Sequence, residues 1–374
     1  MTKKERMKAM IAGEPIDYLP SQLDFVPHRL TRLLEELDMP SGEFDAWAYN
    51  HFYHVYPLTE SCYYSSGSAS DQKLIDMAVE KGLIDPHPDD RYIYDNFHVV
   101  WLKNKDGIRD VVNPAKDGNL DDLAWPGADM PELFDHVLDD LAQRSEEYYV
   151  VGLQHLGLFE RSWLILGYQN LMTALASDIA LVEELMDRIL EFHVGLAHRF
   201  VELRVDAVRT GDDYGTQKNL QFSPKMWRQL IKPRLAKIWE VYREADITIM
   251  HHSCGNIEAI IPDLVELGLD VLHPVQPLAM PIERLAEKFG KQIAFHGGID
   301  TQQLLPFGTS DEVLAAIKHC VETLGANGRY IIAPSQEIMN DVPTENIKAL
   351  VDGIKKYRDS YFKSGISYSP KFSG

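Results

Sequence analysis

The sequence predicts an α/β protein arranged as a (β/α)8 barrel with an irregular N-terminal region. Three observations carry that expectation. Strand-like and helix-like segments alternate through the C-terminal two thirds of the chain. The strand candidates are nearly continuous apolar runs, the pattern of parallel sheets covered on both faces. Counting them gives about eight, and no GxGxxG follows any of them, which argues against an open dinucleotide-binding sheet.

The elements follow in order. "MTKKERMKAMIAGEPIDYLP" is basic and lacks a long apolar stretch or a small-residue cleavage site, so it reads as a short helix and not as a signal peptide. "YLPSQLDFV" (18–26) is a candidate first strand. "WAYNHFYHVYPLTESCYY" (47–64) is dense in aromatics, including Trp47, Tyr49, Phe52, Tyr53 and Tyr56, and contains Cys62. It reads either as core or as the wall of a planar ligand site. "HVVWLKNKDGIRDVVN" (98–113) predicts a hairpin turning at Asp106-Gly107, within an insertion over 85–120 outside the barrel.

Six strand candidates follow residue 145. "YYVVGLQHLGL" (148–158) is the first. The helix after it, 177–205, has Ser177 as a plausible N-cap and apolar residues at Val182, Leu185, Met186 and Ile189. "DAVRTGDD" is a strand with a polar end. Its helix opens with Ser223 and Pro224 and should kink at Pro233. "ITIMHH" precedes a helix stopped by Gly268. "DVLHPVQ" and "QIAFHGGI" follow, the second leading into a helix with a Thr309–Glu312 capping box. "RYIIAPSQEI" is the last strand. These elements make one barrel domain over residues 1–365, with a polar, flexible tail over 366–374.

Composition excludes several function classes. The 374 residues carry 37 Lys+Arg against 57 Asp+Glu, a net charge of -20, which repels phosphate backbones and anionic lipid. Neither nucleic acid nor membrane is therefore an expected partner. No apolar run approaches the ~20 residues of a membrane span. Three cysteines, Cys62, Cys254 and Cys320, make no disulfide framework, and a cytoplasmic location is expected.

Catalytic groups of such barrels sit at the C-terminal ends of strands, and here those ends are polar. They carry Gln154 and His155; Asp212, Asp213 and Tyr214; His252 and Cys254; His273 and Gln276; His296; and Ser335, Gln336 and Glu337. His252 and Cys254, two residues apart on a strand, share one face, while His251 points to the other and reads as packing. Imidazole and thiolate are both zinc ligands, yet a buried thiol beside a hydrogen-bonded histidine has the same spacing. The Asp212-Asp213-Tyr214 turn fits substrate hydrogen bonding or acid–base work, and equally a solvated loop. Cys320 lies on an apolar helical stripe with Val313, Ile317 and Leu324 and reads as core. His193 and His198 lie on the long helix and read as structural.

Taken together, "GDDYGTQ…SPKMWRQLIKPRL", "HHSCGNIEAIIPDLVELGLDVLHPVQP", "FGKQIAFHGGIDTQQLLPFGT" and "YIIAPSQEIMNDVPTENI" resemble the uroporphyrinogen decarboxylase superfamily over roughly residues 145–360. The superfamily is a (β/α)8 barrel. The arginine-rich "RQAGRYLPEY"-like segment of true uroporphyrinogen decarboxylases has no counterpart in "YLPSQLDFVPHRLTRLLEEL". The resemblance is instead to the branch of zinc methyltransferases that work with corrinoid proteins, whose HxCG motif matches His252 and Cys254 as metal ligands. Where thiol-methylating members supply a second cysteine, this chain reads "PSQEI", which puts Gln336 at that place and leaves the third ligand open among Gln336, Glu337 and His296.

The resemblance therefore implies zinc and a corrinoid supplied by a partner protein. It implies transfer of a methyl group from a small methylated substrate, an aryl methyl ether, to Co(I), with Asp213 or Glu337 assisting as acid. Substrate contacts are expected from Asp212, Tyr214, His155, His273, Gln276, His296 and Tyr53. Methyl transfer from a methylcorrinoid to a thiol or folate, a decarboxylase, and a non-catalytic corrinoid- or metal-binding protein are the alternatives. The sequence leaves the oligomeric state open, a homodimer included.

Overall fold

The computed structural model describes residues 1–58, 76–82, 92–104, 107–128 and 130–359. Cys62, the hairpin turn at Asp106 and the tail over 366–374 lie outside these residues. Seven parallel strands form one curled sheet in the order β1-β5-β6-β7-β8-β9-β10. They are β1 (Phe52–Val55), β5 (Tyr149–Gln154), β6 (Ala207–Gly211), β7 (Thr248–His252), β8 (Val271–Val275), β9 (Ala294–Ile299) and β10 (Tyr330–Pro334). The six strands expected after residue 145 are β5 to β10. Each is followed by helix, and the result is a TIM-barrel-like fold.

The eighth position is not a regular strand. Residues 20–26 fill the gap between β10 and β1, and Ser21 bridges both Ile332 and Asn50 in parallel. On the β10 side the backbone makes ladder bonds, Gln22 N to Ile332 O at 3.1 Å and Ile338 N to Asp24 O at 2.8 Å. On the β1 side, side-chain amides take over. Gln22 Oε1 accepts from His51 N and Phe52 N, and Asn50 Oδ1 accepts from Leu23 N. The first strand expected over 18–26 is thus an irregular stave that meets its backbone hydrogen-bonding needs partly through carboxamides.

Local signals account for most helix ends. Ser223 accepts from Met226 N with Pro224 at the first turn, and the helix breaks into Pro224–Leu230 and Lys232–Glu244 beside Pro233. Gly268 ends its helix at φ +102, and Thr309 and Glu312 form the capping box. The N-terminal segment is the helix Lys3–Ala12, itself boxed by Thr2 and Glu5. One cap differs from expectation. Asp178, not Ser177, accepts from Leu181 N, because Ser177 ends a separate helix, Tyr168–Ser177, that abuts Ile179–Glu202 without a loop.

The hairpin insertion is a separate three-stranded sheet of β2 (Tyr92–Tyr94), β3 (Val100–Asn104) and β4 (Gly107–Val112), with antiparallel pairing. It is pinned to the barrel by Asp95. That buried carboxylate accepts from Phe97 N, Val99 N and the Trp101 indole, and pairs with buried Arg161 on the helix Leu158–Leu166. Among the described residues no helix is long and apolar enough to cross a membrane.

Candidate metal centre and active site

Strand alternation sorts the polar groups at the barrel's C-terminal end. On β6, Arg209 and Gly211 face inward, and the alternation continues beyond the strand to Asp213. Thr210 faces the helices, with its hydroxyl between the Trp239 indole and His251 Nδ1. Asp212 also faces away from the barrel interior. Its two oxygens accept from Phe159 N and Glu160 N at 2.8 Å each, capping the helix after β5. Burial raises its carboxyl to about 7 against those hydrogen bonds. Tyr214 is fully buried against Phe222, Trp227 and His251. Asp212 and Tyr214 therefore support the rim from behind.

On β7 the same rule puts His252 inward and His251 outward, where His251 stacks on Tyr214 and meets Trp239 edge-on. His252 Nε2 stands 3.5 Å from Cys254 Sγ and 3.4 Å from Asp213 Oδ1. Asp213, His252 and Cys254 offer ligand atoms all within 4.8 Å of one another, the one such triad among the described residues. Tetrahedral zinc, with bonds of ~2.0–2.1 Å to N or O and ~2.3 Å to S, sets ligand edges of about 3.6 Å for N···S and about 3.4 Å for N···O. The two edges from His252 match these values.

The surroundings suit a cation. Burial, Asp213 and Glu160 push the Cys254 thiol well above its usual range, so a thiolate here needs positive charge beside it. The amides of Gln276 and Gln336 both donate to Cys254 Sγ, at 3.5 and 3.4 Å. Burial would raise Asp213, but its contacts with His252 and the hydrogen bond from Cys254 N outweigh it and hold the carboxyl low. His252 Nδ1 lies 3.0 Å from His273 Nδ1, and with His252 as donor its Nε2 carries the free lone pair toward the triad. The residues present therefore fit a zinc ion.

The loop that carries the thiol is held by backbone contact. Gly255 adopts φ +80, and a Cβ there would meet Gly215 C at 2.5 Å. Asn256 N donates to Thr216 O at 2.7 Å, and Gly255 N donates to Gln276 Oε1 at 2.6 Å. Gln276 thus positions the thiol loop.

Asp213 and His252 also line a cavity of about 160 Å³. Its lining includes Asp24, His155, Glu160, Arg209, His273, His296, Gln336 and Glu337. The rings of His252, His273 and His296 follow one another at 4.9 and 4.5 Å, and Phe52 meets His296 edge-on. Burial pushes His296 down to about 3 and His155 and His273 well below their usual value, so these rings are neutral. Burial and the nearby Asp213 raise Glu160 well above the carboxylate range, and burial and Asp24 raise Glu337.

Gln336 touches the thiol through its amide nitrogen, while its oxygen accepts from Glu337 N. Tyr53 is on the face of β1 opposite Phe52, beneath the Arg144 guanidinium, and does not line the cavity. Sequence reasoning missed Gln22, Asp24, Glu160 and Arg209. The signal for Arg209 was present, since alternation from His252 and Asp213 marks an arginine on an apolar strand as inward-facing.

Cys320 is buried under β9, with its thiol toward Gly298 O, in keeping with a core role. His193 is buried, and the Gln154 amide bonds its ring and carbonyl.

Comparison with solved structures finds a methyltransferase from Methanosarcina mazei, similar at a TM-score of 0.67 and 21% identity over 96% of this chain and 99% of that chain. A B12-independent methionine synthase from Shewanella sp. W3-18-1 gives 0.43 and 13% identity over 61% of this chain and 68% of the other. The first likeness concerns the fold. No curated protein matches the sequence. The family model described as Uroporphyrinogen decarboxylase (URO-D) matches residues 162–357, just over half of the 374 residues, from the helix after β5 to the last helix. The chain belongs to the uroporphyrinogen decarboxylase (URO-D) family.

Proposed function

We propose that the protein is a zinc-dependent methyltransferase that moves a methyl group from a small methoxylated substrate, an aryl methyl ether, to the Co(I) corrinoid of a partner protein. The observation that carries this reading is the Asp213–His252–Cys254 donor set, whose Asp213 and His252 also line a cavity of about 160 Å³. An apolar cavity of about 150 Å³ accommodates benzene, so the space suits one ring and not a tetrapyrrole. Among the described residues Arg209 is the one arginine lining it, a poor match for a substrate with many carboxylates.

Zinc held by Asp213, His252 and Cys254 would supply Lewis acidity at an ether oxygen. The chain's own residues supply the remainder. Glu160 and Glu337, whose carboxyls burial and neighbouring carboxylates push upward, line the cavity and suit proton donation. As the methyl carbon leaves for Co(I), the C–O electron pair stays on oxygen, which takes the proton of Glu337 and departs as a phenol. Asp213, held ionised, suits ligation better than proton donation. Gln276 and Gln336 hold the sulfur in place through their amides.

The test is elemental analysis of the purified protein, followed by methylation of a Co(I) corrinoid protein across a panel of methoxybenzenes. About one zinc per chain and turnover of at least one methoxybenzene are expected. Zinc-loaded protein without turnover on any of them overturns the reading.

A further inference from the structure

Cys254 is the member of the triad with the strongest nucleophile toward carbon, since a thiolate both binds metal and attacks alkyl groups. Its sulfur is half-buried beside the cavity. Gln336 lines that space and touches Sγ at 3.4 Å, and His252, another lining residue, stands 3.5 Å from it. A methyl group made reactive in the cavity therefore has a competing acceptor within the protein itself. In that side reaction a sulfur lone pair forms an S–C bond to the methyl carbon, and the C–O bond breaks with its electron pair on oxygen. Cys254 becomes a neutral thioether and is lost as an anionic ligand.

Two carboxamides close on this sulfur from different strands. Gln276, just past β8, donates to Sγ at 3.5 Å, and Gln336, just past β10, donates at 3.4 Å. The other end of each amide sets its orientation. Gln276 Oε1 accepts from Gly255 N at 2.6 Å, and Gln336 Oε1 accepts from Glu337 N at 3.1 Å. Turning either amide over would set a donor against a donor, so each amide nitrogen is committed to the sulfur. A thiolate sulfur has three lone pairs. With one given to a metal, the two amide donors engage the others, and the pair that would attack carbon is held in a hydrogen bond.

We propose that Gln276 and Gln336 guard the metal-bound Cys254 thiolate against methylation by the substrate that the site activates. They are positioning residues that act through the sulfur. The proposal rests on the methyl-transfer reading for the identity of the alkylating substrate, but its test reads the sulfur alone.

Wild-type protein and the variants Gln336→Met and Gln276→Met, which keep the side-chain length and lose the N–H donors, are treated with iodomethane at saturating zinc. Peptide mass spectrometry follows methylation of Cys254, and elemental analysis follows the metal. Each variant should methylate about 10-fold faster than wild type, the effect of one hydrogen bond to a charged acceptor. Cobalt(II)-substituted protein separates electronics from access. Its sulfur-to-cobalt charge-transfer band should move to lower energy in both variants, whereas a merely opened site leaves the band in place. Equal methylation rates, or faster methylation with an unmoved band, would overturn the proposal. So would loss of metal from folded Gln336→Met at saturating zinc, which would make Gln336 a ligand. Gln276 also holds the thiol loop through its oxygen, so if Gln276→Met loses metal or does not fold, Gln336→Met decides alone. Gln336→Ala takes its place if that variant does not fold. Absence of methyl transfer to Co(I) would sink the broader reading and leave a measured protection of the sulfur standing.

Discussion

Asp213 and Cys254 are joined twice, across two strands. The carboxylate Oδ1 accepts a hydrogen bond from Cys254 N at 2.8 Å, and a carboxylate oxygen of Asp213 lies within 4.8 Å of Cys254 Sγ. One acid therefore both fixes the backbone of the thiol loop and completes the donor set. Gln336 also reaches the sulfur, but as a hydrogen-bond donor.

That difference predicts unequal consequences. Asp213→Ala should abolish stoichiometric zinc, as should Cys254→Ser. Gln336→Ala, which removes only an outer partner of the sulfur, should weaken zinc by about 10- to 100-fold. Competition with a chromogenic chelator measures all three. If Gln336→Ala loses zinc outright while Asp213→Ala retains it, the third ligand is Gln336.

The crossing of Gly215 and Gly255 gives a second prediction. An alanine at 255 adopts positive φ at a cost of about 1–2 kcal/mol and also meets the Gly215 backbone. Gly255→Ala should destabilise the protein by at least about 2 kcal/mol in urea and should lower zinc affinity, because Cys254 moves with the loop. Unchanged stability and metal affinity would refute the argument.

These features differ in how far sequence alone exposes them. Alternation separated His251 from His252 because both lie on one short strand whose period is two. The same rule distinguishes Asp212 from Asp213, but only when it is carried past the strand end from Arg209. Asp24 was beyond reach. It stands 185 residues from Arg209 and belongs to an irregular stave whose bonds to β1 run through side chains, which leaves no periodic pattern. Tyr53 shows the converse, since aromatic density in 47–64 carried no information about which face of β1 each ring would take.

The Asp95–Arg161 pair anchors the hairpin sheet to the barrel and is buried on both sides. Removing one partner of such a pair costs about 3–5 kcal/mol, because the other charge stays buried. Asp95→Asn should therefore shift urea unfolding by roughly that amount. A change below about 1 kcal/mol would match an exposed pair and rule the anchor out.

Acid sensitivity follows from the buried rings. Among the described residues burial pushes eight histidines below their usual value: His51, His54, His136, His155, His193, His251, His273 and His296. His51, His54, His136, His193, His251 and His296 fall at about 3 to 4. As pH falls below about 6.5, the unfolded chain protonates these rings and the fold does not, so the stability they contribute is lost toward pH 3–4. Four raised carboxyls, Glu160, Asp212, Asp270 and Glu337, act oppositely. The stability they contribute is present at low pH and lost as pH rises through their folded values, about 7 for Asp212. Eight exceeds four, so the unfolded chain binds more protons between about pH 6.5 and 4, at ~1.4 kcal/mol per pH unit for each excess proton. Zinc release would act in the same direction, since its ligands protonate, so the measurement belongs on chelator-treated protein. Its melting temperature should fall steadily from about pH 6.5 to about pH 5. A flat or rising profile would mean that the carboxyls, and not the histidines, govern the balance.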